Sequence, residues 1–193
     1  MDDYKLMIAP FEHDGFRNLS KKQAEEYFQW YISQSVARID QLCDYVHRIS
    51  GMTFSRDYTP VSFIDLWSWF ETQICMMKKS EEEYQAELKK FPEWMHSSIS
   101  KETFSVKTLA LITDISFYFA ETFIRNNPLI KWGYFTKPKN EMYVNMPVLL
   151  GFKSNMKLNP RQIVWVCAMK SSRQHDKNRL INIYQTWVGY IPK

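Results

Sequence analysis

The sequence predicts an α+β protein: an N-terminal helical bundle around one buried helix, then a small antiparallel sheet and a closing C-terminal helix. Three observations carry this. Residues 104–126 (FSVKTLALITDISFYFAETFIRN) are apolar on most sides of a helical wheel, the pattern of a helix enclosed by others. Helical periodicity dominates before Pro128, and short apolar runs separated by turn residues follow it. The 193 residues are 45% hydrophobic and 16% aromatic, enough to fill one core without disulfides. One domain over 1–193 is expected, helical over about 18–127 and sheet plus last helix over about 128–193.

Taken in order, residues 4–8 read as a short edge strand that Pro10 and Gly15 stop. Ser20 followed by Gln23 is a capping box. From there Phe28, Ile32, Ser35, Ile39, Leu42, Val46 and Ile49 mark the inner seam of one long helix, with Arg38 on its outer face. Gly51 supplies its left-handed stop. A second helix carries Phe63, Leu66, Trp67, Phe70, Ile74 and Met77, with Trp69 off the stripe and facing outward. Residues 80–90 form a short charged helix: Ser80 caps it, Glu81, Glu82 and Glu83 open it, and Lys89 and Lys90 close it. The central helix ends before Pro128, because the residue preceding a proline avoids helical geometry. Residues 129–137, 147–153 and 162–169 (QIVWVCAM) are expected as three antiparallel strands, followed by a helix with Leu180, Ile181, Tyr184, Trp187 and Val188.

Composition narrows the functional classes. Five glycines are too scattered for a phosphate-binding loop or a dinucleotide fingerprint. No nucleophile elbow is present, and the four histidines show no metal-ligand spacing, so neither cofactor nor metal is expected. Cys43, Cys75 and Cys167 are far apart and read as small buried hydrophobes in a reducing, cytoplasmic setting. The acidic N-terminus has no signal-peptide core, and no apolar run spans a bilayer. Residues 1–127 hold 14 Lys and Arg against 19 Asp and Glu, a net of −5, while residues 128–193 hold 11 against 2, a net of +9.

Two constellations remain. On the central helix Asp114, Tyr118, Glu121 and Arg125 fall four, three and four residues apart and share a face, with Trp132 downstream. Desolvated carboxylates hold protons more tightly, so this stripe reads as a site for a small ligand or acid–base work. The reading it favours is nonetheless structural, with Glu121 paired to Arg125 and the Tyr118 hydroxyl reaching water. The other constellation, Lys131, Trp132, Tyr134, Lys137, Lys139, Tyr143, Lys153, Lys157 and Arg161, mixes cations with rings as a nucleic-acid surface does. Alternation in a strand gives the same mixture for folding reasons alone.

The segments DISFYFAE (114–121), NNPLIKWGYFTKPKN (126–140) and PVLLGF (147–152) are similar to small uncharacterised bacterial proteins of helix-then-sheet layout. Those resemble in turn the immunity-type proteins that neutralise toxins. The resemblance implies a bacterial cytoplasmic protein with a protein partner, and it carries no catalytic residue with it. Together with the missing catalytic signatures, it favours a non-enzymatic interaction module over a ligand-binding protein or enzyme, or a nucleic-acid binder.

Overall fold

A computed structural model describes residues 4–52, 54 and 56–192; residues 1–3 of the acidic N-terminal stretch lie outside it. The fold is α+β. Seven helices are seen among the described residues: α1 (Lys21–Ser33), α2 (Ser35–Ser50), α3 (Ser62–Gln73), α4 (Glu81–Leu88), α5 (Val106–Asn126), α6 (Pro160–Ser171) and α7 (Arg179–Val188). Strands β1 (Met76–Lys78) and β2 (Glu102–Phe104) form one antiparallel pair, and β3 (Lys131–Gly133) and β4 (Val148–Leu150) another.

The expected central helix is α5. Ser105 caps it by accepting from the Thr108 amide, and Asn127 leaves it in extended geometry ahead of Pro128. At 21 residues, it is about 31 Å long. Helices α6 and α2 make its largest contacts, and Leu111, Ile115, Phe117, Phe119 and Phe123 are fully enclosed.

The single helix expected after Ser20 is two. The Ser20–Gln23 capping box forms. At Gln34 the backbone stays helical while its amide bonds Tyr31 O, and Ser33 Oγ donates to Trp30 O. These i→i−3 bonds tighten the last turn and end α1, a recurrent way for a helix to close. The buried face turns there as well. In α1 it is Ala24, Tyr27 and Tyr31 rather than Phe28 and Ile32; in α2 it includes Ser35, Arg38, Ile39, Leu42 and Val46. Arg38, assigned to the outer face by periodicity, is only 6% exposed. Gly51 takes φ 67° and closes α2 onto His47 O.

Trp69 also turns inward. It is 5% exposed, edge-on to Tyr45, because α3 is enclosed on more than one side. Residues 4–8 form no strand; they run along α2 as a strap whose Lys5 carbonyl accepts from Arg38 and Gln41.

Residues 162–169 are helical, not a strand. Asn159 accepts from the Gln162 amide and Pro160 occupies the first turn, the usual chemistry of a helix start. Val164, Cys167, Ala168 and Ser171 then lie on one buried face at helical spacing. Burial of that face against α5 outweighs the β-propensity of the Ile-Val-Trp-Val run. The sheet is thus reduced to β3 and β4, with Leu149 bridging to Leu158. The closing helix α7 packs on α3 and α6 rather than across a sheet face.

Between α3 and α5 the chain leaves the body. The strands β1 and β2 form its stem, with Met76 opposite Phe104, and α4 with a short turn at Glu93–Ser98 forms its tip. The expected helix at 80–90 is present as α4, with both halves of a Ser80–Glu83 capping box in place. No residue from 75 to 103 is buried.

Candidate functional site

Each residue of the central stripe is committed to a neighbour within the protein. The stripe divides into two pairs, each seven residues apart. Asp114 and Glu121 face α2. The Asp114 carboxylate takes a two-pronged bond from Arg38 (Nε–Oδ1 and Nη2–Oδ2, both 2.7 Å) and a third bond from the Tyr4 hydroxyl. It is fully shielded from solvent. Burial pushes this carboxyl up to about 6, against the pull of Arg38 and then Tyr4, so at neutral pH it is an ionised partner of the guanidinium. Burial, then the Asp114 charge, raises the Tyr4 phenol, which keeps its proton to donate. Two further donors of Arg38, both on Nη1, are used as well, on Lys5 O (2.9 Å) and Gln41 Oε1 (3.1 Å). Glu121 Oε1 accepts from Ser35 Oγ (3.2 Å) and from Trp132 Nε1 (3.0 Å). Trp132 thus does join Glu121, where it ties β3 to α5.

Tyr118 and Arg125 face the loop before α3. The Tyr118 hydroxyl is bonded to Ser62 Oγ at 2.7 Å and accepts the Tyr58 amide at 3.2 Å, so it does not reach water. Burial pushes this phenol up to about 12, opposed by Ser62. The Arg125 guanidinium lies 3.8 Å over the Tyr58 ring and forms no ion pair with Glu121 among the described residues. A face that looked like a site in one dimension is a set of joints from α5 to α2, to β3, to Tyr58 and to Ser62 at the start of α3.

A second buried polar cluster had no signal in the sequence. Glu71 on α3 accepts from Ser171 Oγ (2.5 Å) and from the Asp176 amide (2.8 Å). Ser171 accepts in turn from Trp67 Nε1 (3.2 Å) and Arg179 Nε (3.0 Å). Every polar atom of that hydroxyl is used, and the cluster locks α3, α6 and α7 together. Its members are some 100 residues apart in the chain, and no local spacing announces them.

An aromatic cleft lies elsewhere. A cleft of about 410 Å³ opens between α1, the 142–147 loop and the start of α6. Phe16, Tyr27, Tyr31 and Trp165 present rings to it, and Met142 and Met146 complete the apolar wall. Its polar edge is Asn159, Arg161 and Gln162, and none of the five stripe residues lines it. The loop wall is stapled in place: Asn145 Nδ2 donates to Phe16 O (2.7 Å), Lys139 Nζ donates to Leu19 O (3.2 Å), and Lys157 pairs with Glu141 (2.8 Å).

Three of the basic residues in the C-terminal part therefore have structural duties. Lys139 and Lys157 hold the loop, and Lys153 Nζ donates to Gly189 O (3.2 Å). Cys75 is exposed, unlike the buried Cys167 and half-buried Cys43, whose thiols burial pushes up to about 11. Among the described residues no group of three His, Cys, Asp or Glu side chains is arranged to hold a metal, and no helix is long and apolar enough to cross a membrane.

No protein-family model, curated protein or solved structure matches this chain.

Proposed function

We propose that the protein acts by non-covalent recognition of another protein, with the arm formed by residues 75–103 as its contact element. A toxin or a regulated bacterial enzyme in the cytoplasm is the kind of partner this reading favours. The observation behind it is Trp94, 79% exposed at the tip of a segment that contributes no buried side chain to the fold. Phe91 and Met77 are exposed on the same arm. Large apolar side chains held out on an ordered arm find burial only against something else. Tryptophan anchors of this sort carry a disproportionate share of interface energy. Glu71 and the Asp114–Arg38 pair support the reading from the other side, since these buried charges are spent on holding helices together.

The test compares wild type with Trp94→Ala and Phe91→Ala as baits in cells of the source organism. A partner retained by wild type and lost by both variants, with thermal unfolding unchanged, supports the arm as the contact element. Equal retention by all three baits refutes it.

A further inference from the structure

The cleft between α1, the 142–147 loop and α6 carries an inference independent of the arm. Its walls are aromatic and its one charged group is a cation: no Asp or Glu lines it. Among the described residues Arg161 forms no ion pair. The edge of the cleft therefore holds a cation with no carboxylate against it, whereas the nearby Lys157 is neutralised by Glu141. Its position is fixed by the helix start: Asn159 caps α6, Pro160 opens it, and Arg161 follows. The field of the helix terminus adds to the guanidinium charge at that edge. The charge is felt inside the cleft, where it opposes the burial-driven rise of the Tyr27 and Tyr31 phenols. The volume lies within the range of small-molecule sites, which join a mostly apolar lining to a few polar groups that orient the ligand.

We propose that this cleft binds a small aromatic carboxylate, its ring lodged among Tyr27, Tyr31 and Trp165 and its anionic group on Arg161. The apolar wall supplies most of the binding through ring contacts and desolvation. Arg161 supplies the choice of sign. Planar guanidinium and planar carboxylate match as a two-pronged pair, so an uncharged amide of the same shape is the poorer ligand. Gln162 and Asn159 stand beside the same edge, although the Asn159 Oδ1 is already engaged by the Gln162 amide.

The experiment is calorimetric titration of the full chain with 2-naphthoate and with its uncharged analogue 2-naphthamide. Wild type is expected to bind the carboxylate about tenfold or more tightly than the amide, the size of one charge-assisted bond. Arg161→Gln removes that preference while retaining amide binding, and Trp165→Ala weakens both ligands. Because Arg161 is exposed, its variant folds and reports even if the Trp165 variant does not. Trp94→Ala leaves both titrations unchanged, which separates this cleft from the arm. Absence of binding by either compound at millimolar concentration overturns the proposal. So does equal binding of the two by wild type, or a preference for the carboxylate that survives Arg161→Gln.

Discussion

Helix α5 and the arm at 75–103 are neighbours in the chain and opposites in environment. The helix has 14 buried residues among its 21, five of them Asp, Ser or Thr at positions 108, 113, 114, 116 and 122, each with a hydrogen-bond partner. The arm has no buried residue and exposes a tryptophan. In the helix, polar groups are tolerated because the packing that hides them also brings their partners. In the arm, apolar groups are exposed because a two-stranded stem and an eight-residue helix enclose no interior of their own. Polarity in a sequence therefore says little about place until the partner is known. Among the described residues Asp114 is the most enclosed carboxylate and Trp94 the most exposed tryptophan.

The contrast yields measurements of decreasing size. Arg38→Met leaves the Asp114 charge buried without its partner, and chemical denaturation at neutral pH is expected to show a loss of about 3–5 kcal/mol. Arg38→Met combined with Asp114→Leu is expected to recover most of it; a double variant as unstable as the single one breaks the argument that the charge is the cause. The pH dependence comes next. The folded Asp114 carboxyl titrates near 6, above the ordinary 3.8, so the native state holds the extra proton between those values. Its contribution to stability is fully present below about pH 4 and is lost as the pH rises through 6. The stability difference between wild type and Asp114→Asn should thus grow on acidification, by about 1.4 kcal/mol per pH unit within that window. A flat difference from pH 4 to 7 contradicts the assignment.

Effects on the arm are smaller and local. Ser80→Ala removes half of a capping box and should weaken α4 by about 1 kcal/mol, seen as faster amide exchange at 81–88 with the global melting temperature nearly unchanged. Trp94→Ala is expected to alter stability by no more than about 0.5 kcal/mol. A large drop in melting temperature from either change would mean that the arm belongs to the folding unit after all.

Much of the scaffold was legible because its signals are local. The Ser20–Gln23 and Ser80–Glu83 boxes, the Gly51 stop and the Pro128 terminus each lie within a few residues of the feature they produce. The apolar circumference of α5 announced its burial in the same way. Where expectation and structure parted, a distant partner decided. The β-branched run at 162–169 became helix because its buried face meets α5. Arg38 sits inside because Asp114 is there, 76 residues away, and Trp69 because α3 is enclosed. The candidate stripe was correctly placed on one helix, but its two pairs point to different neighbours.

The amino-acid order alone determined where helices start and stop and that α5 would be enclosed, since capping bonds and side-chain periodicity act over one or two turns. Only the tertiary structure decided that the charged stripe would be consumed in joints, that an arm would stand clear of the core, and that Arg161 would edge an aromatic cleft. Each of these depends on which surfaces meet, and contact between residues far apart in the chain is set by the packing of the whole.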